Sequence, residues 1–372
     1  MKKILKNNAT LIALIAIGVL LTFLTKGSFF TSRNLTNVVR QVTIVGVIAV
    51  GMTMVILLGG IDLSVGSIVG LSAITVTLLM EKGVSVWLAI ILTILLTGVL
   101  IGVWNGFLVA KYKIPAFIIT LGMMTIARGL ALTFSKGGSV PVKNNLFPRI
   151  GGAYISPGTS AIIIAIVLGI VIYSTFSGMK KKVKYGIELE KTKEMMSLVA
   201  KIIGVLFMFW VFVTYKGIPS PVAIFTVIAL LGVFLLRNTK MGRNIYATGG
   251  NEEAARLSGI NIFKVNMFVF TIVSALSSVS GIILASRLNG ASPNLGNMFE
   301  LDAIASVVIG GTSLNGGSGT ITGTIIGAFI IGILNNGMSL LGVPSFYQLI
   351  VKGAIIIIAV WFDVVSKNKK VA

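Results

Sequence analysis

The sequence contains no cysteine and no histidine, and these two absences narrow the chemistry that the chain can perform. Without cysteine there is no disulfide framework and no thiolate metal site. Without histidine the chain lacks the usual general base near neutral pH and the commonest metal ligand. Acidic residues are also scarce, with 10 Asp and Glu against 31 Lys and Arg. We therefore expect a protein that is not an enzyme and holds neither a cofactor nor a metal ion.

Hydrophobic residues make up 55% of the 372 residues and charged residues only 11%. Nearly every stretch from Thr10 to Trp361 belongs to an apolar run of roughly 17–25 residues, long enough to cross about 30 Å of hydrocarbon as a helix. Backbone amides in lipid must bond within their own segment, which favours helices. The sequence predicts an all-α, polytopic transmembrane helical bundle of about 10–12 spans, forming a single transmembrane domain over 1–372.

The apolar runs divide the chain into about twelve predicted crossings, of which the first is expected to be an uncleaved helix rather than a signal peptide. Their boundaries are 9–24, 40–58, 64–80, 85–110, 114–135, 158–176, 198–215, 219–237, 263–286, 301–312, 320–341 and 346–364.

A formal net charge of +21 would suit a nucleic-acid-binding protein, but the basic residues are distributed differently. They lie in short clusters between apolar runs, as cytoplasmic loops of membrane proteins do. With the amino terminus inside, the clusters near Lys2, Lys111, Lys180, Arg237 and Lys367 all become cytoplasmic. We expect the lipid bilayer as a partner, no nucleic acid, and both termini in the cytoplasm.

Two glycine-rich segments, 59–67 and 310–318, interrupt apolar stretches and share Gly, Gly, Leu, Gly and Ser at matching places. A second echo relates 101–106 to 331–337, although two crossings separate the motifs in the first half and one in the second. Weakly repeated halves with Gly-interrupted helices are typical of transporters, while glycines also permit plain close packing of helices. The candidate pathway residues are Gly59, Gly60, Asp62, Ser64, Ser67, Asn105, Gly310, Gly311, Thr312, Ser313, Asn315, Asn335 and Asn336.

A polar segment, 238–262, separates two crossings and contains the signals of a short helix. Asn251 suits the N-cap and Gly259 the left-handed exit. Between them, opposite charges match the two ends of the helix dipole. We predict a defined helix on the cytoplasmic surface, built from Asn251, Glu252, Glu253, Ala254, Ala255, Arg256 and Gly259.

Ionised residues at membrane depth are costly and therefore informative. Asp62 is expected either to cap the helix that begins near Ser64 or to take part in gating. Arg128 and Lys352 are expected to pair structurally or to extend towards the interface. Glu300 and Asp302 open the tenth predicted crossing, either as solvated charges or as contacts for an outer partner.

Three stretches, 60–67, 246–260 and 300–314, together resemble the ribose/xylose/galactoside permease family of ABC importers, and the resemblance covers nearly the whole chain. The Glu253-Ala254-Ala255 pattern with Gly259 is similar to the EAA loop of such permeases, which implies that the helix over 251–259 docks on an ATPase and that its residues are the coupling residues. The resemblance implies a bacterial inner-membrane subunit with a second permease copy, an extracytoplasmic sugar-binding protein, and a cytoplasmic ATPase whose two nucleotide-binding domains hold ATP and Mg²⁺. No G-x-x-x-x-G-K-[ST] phosphate loop occurs here, which agrees with that division.

A hairpin over 159–215, with a basic cytoplasmic loop at 177–197, is additional to the shorter ribose-type members of that family. It resembles the xylose-type and multiple-monosaccharide branch, so the expected substrate is xylose or a related aldose, with galactose or ribose next. A secondary, ion-coupled transporter remains an alternative, because broken helices suit it equally well. A permease of the same broad family for autoinducer-2, nucleosides or branched-chain amino acids is the other alternative.

Overall fold

The computed structural model describes the backbone of residues 9–371 and the side chains of 10–361, and this part of the chain is almost wholly helical. Its α-helices are α1 Ala9–Leu24, α2 Ser32–Leu57, α3 Val65–Glu81, α4 Val86–Thr93, α5 Leu100–Tyr112, α6 Ala116–Ser135, α7 Pro148–Gly152, α8 Pro157–Lys184, α9 Lys191–Val213, α10 Ser220–Asn238, α11 Lys240–Gly250, α12 Glu252–Leu257, α13 Ile262–Leu288, α14 Phe299–Ile309, α15 Ile321–Leu340 and α16 Ser345–Val371. A π-helical stretch, Ile94–Val99, joins α4 to α5. Two short strands, β1 Val140–Pro141 and β2 Gly290–Ala291, pair antiparallel.

Within the described residues, eight helices are long and apolar enough to cross a membrane, and three shorter helices are apolar. These eleven coincide with eleven of the twelve predicted crossings, with α4 and α5 forming one continuous span. The predicted polytopic helical bundle is confirmed. Lys2, Lys3 and Lys6 lie outside the described residues, so the cytoplasmic position of the termini stays a prediction.

The tenth predicted crossing, 301–312, is wrong as a full span. The helix found there, α14, has 11 residues. At 1.5 Å per residue it is about 16 Å long, roughly half of the hydrocarbon thickness. The chain before it turns at Gly296 and Met298, whose φ angles are 75° and 64°. Between α13 and α14 the chain therefore runs through β2 and turns rather than through helix.

The core of the bundle forms where α13 packs against α2, α3 and α5. Gly98, Gly102 and Gly106 face α13 at successive helical turns. A Cβ on Gly102 would lie 2.6 Å from the carbonyl oxygen of Phe270. Small side chains let two helix backbones approach closely in lipid, so these glycines in and before the 101–106 motif serve packing.

The predicted hairpin 159–215 is present as α8 and α9, which pack on each other at the periphery. Its base is held closely: the amide of Ile155 donates a 2.8 Å hydrogen bond to the carbonyl of Ile218. A Cβ on Gly217 would lie 1.8 Å from the carbonyl oxygen of Ile155, and its φ is +93°. At the other end of the hairpin, Lys182 pairs with Glu194.

Candidate functional site

Three pieces of chain that are far apart in sequence meet at the end of α2. The amide of Gly317 donates a 2.9 Å hydrogen bond to the carbonyl of Leu57, the last residue of α2. A Cβ on Gly249 would lie 1.6 Å from the same carbonyl oxygen. We call the three pieces the glycine junction, which consists of residues 57–59, 249–250 and 316–317.

The glycine junction is built on backbone that other residues adopt poorly. Gly316 and Gly317 have φ angles of +83° and +70°, and a Cβ on Gly316 would lie 2.6 Å from the carbonyl oxygen of Gly249. The hydroxyl of Tyr246, on α11, donates 2.8 Å to the carbonyl of Gly319. α11 thus contacts the second broken segment, 310–318, and the end of α2, which leads into the first broken segment, 59–67.

A short helix is present where the sequence predicts one, as α12, and its cytoplasmic position stays a prediction. Asn251 is its N-cap, as predicted, because its side chain accepts a 2.9 Å hydrogen bond from the amide of Ala254. Gly259 leaves the helix with φ +81°. Ala255 is buried against the protein, while Glu252 and Leu257 are exposed. α12 follows α11 with only Asn251 between them.

Two of the three charged side chains on α12, Glu253 and Arg256, pair with each other. Arg256 donates a 2.6 Å hydrogen bond to Glu253. This bond, reinforced by the positive charge of Arg256, holds the pKa of Glu253 below its ordinary range. Glu253 is therefore ionised throughout the neutral range and presents a negative charge at the exposed start of the helix.

A buried polar group surrounds the first broken segment. Asp62 and Ser64 are fully buried, and Asp62 Oδ1 accepts hydrogen bonds of 2.8 Å and 2.6 Å from the amide and the hydroxyl of Ser64. Asn105 Nδ2 donates 3.3 Å to the Ser64 hydroxyl. In the described chain, Asp62 Oδ2 and Asn105 Oδ1 are buried without a protein partner. Asp62 therefore secures the turn into α3, and polar capacity remains for water or solute.

Replacing Asp62 separates its turn-forming role from a role of its charge. Asp62→Ala leaves the two Ser64 donors without their acceptor, and we expect a loss of about 1–3 kcal/mol in stability. Asp62→Asn retains the acceptor oxygen and is expected to stay near the wild type in thermal unfolding and in solute uptake. If the Asn variant loses uptake as completely as the Ala variant, the charge itself is required.

The second broken segment is organised by its own backbone. The amide of Ser313 donates 2.8 Å to the carbonyl of Ser318, and the Ser313 hydroxyl accepts from the amide of Asn315 at 3.2 Å. Thr312 is buried and its hydroxyl has no partner in the described residues. Gly310 packs on Gly323 of α15, where a Cβ on Gly310 would lie 2.5 Å from a backbone atom.

Asn336, in the 331–337 segment, lies apart from the Asp62 group. Asn336 exchanges side-chain hydrogen bonds of 2.9 Å and 3.0 Å with Asn34 near the start of α2. α2 has 26 residues, so this pair and the glycine junction lie at opposite ends of it. The structure therefore brings Asn105 together with Asp62 and Ser64, but places Asn336 elsewhere.

Of the two alternatives for the start of α14, that of solvated charges is contradicted, because Glu300 and Asp302 are buried. Asp302 forms a 3.0 Å ion pair with Lys352 of α16. The side chain of Asn335, on α15, also reaches this carboxylate. The pairing predicted for Lys352 is confirmed, and its partner was missed because Asp302 and Lys352 lie 50 positions apart.

Arg128 also pairs structurally, as predicted. Its Nη1 donates to the carbonyl oxygens of Pro293 and Leu295, the latter at 3.0 Å. These carbonyls belong to the non-helical stretch before α14, and Glu300 lies near the guanidinium. Arg128 thus supplies the donors that a helix would have supplied to this stretch.

These observations define a multi-pass helical membrane protein with two broken helices joined to a capped exterior helix. The family model described as "Branched-chain amino acid transport system / permease component" matches residues 34–360. The chain belongs to this family of transport permeases.

Relatives with assigned roles cover nearly the whole chain. The xylose transport system permease protein of Escherichia coli K12 is 42% identical over 359 residues, 96% of this chain and 91% of the relative. The xylose permease of Haemophilus influenzae is 40% identical over 98% of both chains. The ribose import permease of Escherichia coli K12 is 37% identical over 98% of this chain and 95% of the relative. No solved structure matches the chain.

Proposed function

We propose that this chain is the membrane-spanning permease subunit of a binding-protein-dependent ABC importer for a monosaccharide, driven by ATP hydrolysis on a separate ATPase subunit. The observation that carries the proposal is the glycine junction, which connects the docking helix to both broken segments. Such an importer would sit in the bacterial inner membrane as two permease copies. An extracytoplasmic protein would deliver the sugar, and the ATPase would hold ATP and Mg²⁺ on its two nucleotide-binding domains.

The contacts indicate how a movement of α12 would reach the two broken segments. The stretch Asn251 to Gly259 contains a short helix with an ion pair between Glu253 and Arg256. The acidic first turn of this helix is exposed, which suits docking on another protein. α11 follows its motion because one residue separates the two helices. Tyr246 and Gly249, on α11, touch the second broken segment and the end of α2. A rotation of α12 would therefore displace both broken segments together, as rigid elements transmit switching motions.

A xylose-like aldose is the favoured substrate, with galactose or ribose next. Two relatives named for xylose are 40–42% identical, while the relative named for ribose is 37% identical. Buried, unpartnered oxygens on Asp62, Asn105 and Thr312 offer hydrogen-bond acceptors close to the broken segments. Sugar hydroxyls can donate hydrogen bonds to such acceptors. A transport pathway must bind its solute weakly enough for the solute to leave again.

Glu253→Lys tests the assignment of the docking helix. We expect ATP-dependent uptake of labelled xylose into proteoliposomes to fall more than about tenfold, because reversing a charge on a docking surface opposes a complementary partner. Co-purification with the ATPase should be lost, while insertion in the membrane is unchanged. The matched control is Glu188→Lys, which reverses an exposed charge at the hairpin tip and should leave both measurements intact.

Normal co-purification and uptake by Glu253→Lys would contradict the assignment. Unlabelled ribose and galactose, added in excess to the same vesicles, rank the candidate sugars. Ion-gradient-driven uptake by the purified chain without nucleotide or ATPase would favour the secondary transporter instead.

A further inference from the structure

A group of cationic side chains lies where the base of the α8–α9 hairpin meets α2. Arg40 Nη1 donates a 2.8 Å hydrogen bond to the hydroxyl of Tyr154, and Arg40 Cζ lies 5.1 Å from the centroid of the same ring. Lys216 Nζ lies 5.8 Å from that centroid and 5.7 Å from the ring of Tyr215. Residues from both ends of the hairpin thus surround an arginine of the core.

A second arginine, Arg287 at the end of α13, belongs to the same group. Arg40 Nη2 donates 3.3 Å to the carbonyl of Gly151. A Cβ on Gly151 would lie 2.8 Å from the amide nitrogen of Arg287. The two arginines therefore flank the same short helix, α7, and are near enough for their like charges to interact.

Among the described residues, no acidic side chain forms an ion pair with these charges. The segments that build the group, 32–57, 148–160, 213–220 and 262–288, contain no Asp or Glu. Across the described residues, neither Arg40 nor Arg287 forms an ion pair, and Arg40 Nε is buried without a partner. Both side chains are half-buried. Like charges that are partly removed from water oppose folding unless a counter-charge is supplied.

The donors of this group all suit the same kind of ligand. The Tyr154 oxygen accepts from Arg40, so its own proton is available to another acceptor. Arginine offers a planar fork that matches phosphate oxygens, and lysine adds a mobile point charge. Lys216 is exposed, so the group opens to solvent. We propose that Arg40, Arg287, Lys216 and the Tyr154 hydroxyl bind a phosphate oxyanion, which either free phosphate or the headgroup of an anionic phospholipid can supply.

This site is separate from the transport machinery proposed above. Arg40 and Leu57 lie 17 residues apart on one helix, about 25 Å at 1.5 Å per residue. A failure of the anion site therefore leaves the glycine junction and the docking helix unaffected.

The test measures the Tm of the full-length chain with two probes. In detergent, inorganic phosphate replaces chloride at constant ionic strength. In nanodiscs, phosphatidylglycerol is added to phosphatidylcholine. We expect a rise in Tm with at least one probe, and a Kd that is weakened by about tenfold or more in Arg40→Gln, Arg287→Gln and Lys216→Gln, the effect of losing one charge-assisted hydrogen bond.

Arg33→Gln is the matched control, since it removes an exposed positive charge from the same helix and should respond as the wild type does. Lys216→Gln keeps the test valid if an arginine variant does not fold, because Lys216 is exposed. A response to phosphate identifies the free anion as the source, and a response to phosphatidylglycerol alone identifies the lipid. The proposal is overturned if neither probe raises the Tm, if the three variants respond as the wild type does, or if Arg40→Gln instead weakens capture of a carboxylate-bearing protein partner.

Discussion

Gly249→Ala is expected to reduce sugar uptake to background and to destabilise the protein by an amount at or above the upper end of about 1–3 kcal/mol. The added methyl group would lie 1.6 Å from the carbonyl oxygen of Leu57 and 2.9 Å from the amide nitrogen of Gly317. Both neighbours are backbone atoms and cannot rotate away. The glycine junction would have to open, which separates α11 from both broken segments. Uptake in proteoliposomes and Tm in detergent measure the two effects.

Gly250→Ala is the control for this substitution. A methyl group on this neighbouring glycine would have no atom within 4 Å, so the same chemical change meets open space. Uptake and Tm should stay close to the wild type. Equal damage in both variants would mean that local helix preference, rather than the close approach to Leu57, explains the requirement for glycine.

Lys352→Met is expected to lower the stability by about 3–5 kcal/mol, because it leaves the buried Asp302 carboxylate without its cation. The Asp302 side chain is 5% exposed and that of Lys352 is 18% exposed. Adding Asp302→Asn to Lys352→Met removes the uncompensated charge and should recover most of the loss. Thermal unfolding of the two single variants and the double variant gives the coupling between them.

The exposed pair of Glu190 and Lys193 provides the comparison for this cycle. Their side chains are 58% and 64% exposed, so Lys193→Met should cost less than about 1 kcal/mol. If Lys352→Met is equally mild, or if the double variant is as unstable as the single one, the ion pair does not hold α14 to α16.

Apolar runs predicted the helices of this protein well, because a lipid-facing backbone has almost no alternative to the helix. The prediction of a full span at 301–312 was wrong because hydropathy does not show where non-helical backbone is tolerated. Arg128 and neighbouring turns satisfy the backbone before α14. α11 was not predicted from its polar, glycine-containing sequence. Its available signal was Thr239, whose hydroxyl accepts from the amide of Gly242 as an N-cap.

The candidate site was predicted in part. Caps such as Asn251 and exits such as Gly259 act within a few residues, so the sequence indicated α12 correctly. The glycines of the two broken segments were also found by their pattern. Their meeting with Gly249 was not, and neither was the burial of Glu300 and Asp302, since both depend on which helices become neighbours.

The sequence by itself determined that the chain is a lipid-embedded helical bundle with two interruptions and one capped exterior helix. Each of those features follows from local hydropathy, local backbone preference or hydrogen bonds over three or four residues. Only the tertiary structure decided that Leu57, Gly249 and Gly317 touch, and that Asp302 meets Lys352. Such contacts join residues that are tens to hundreds of positions apart, and they are selected by the packing of whole helices rather than by any one segment.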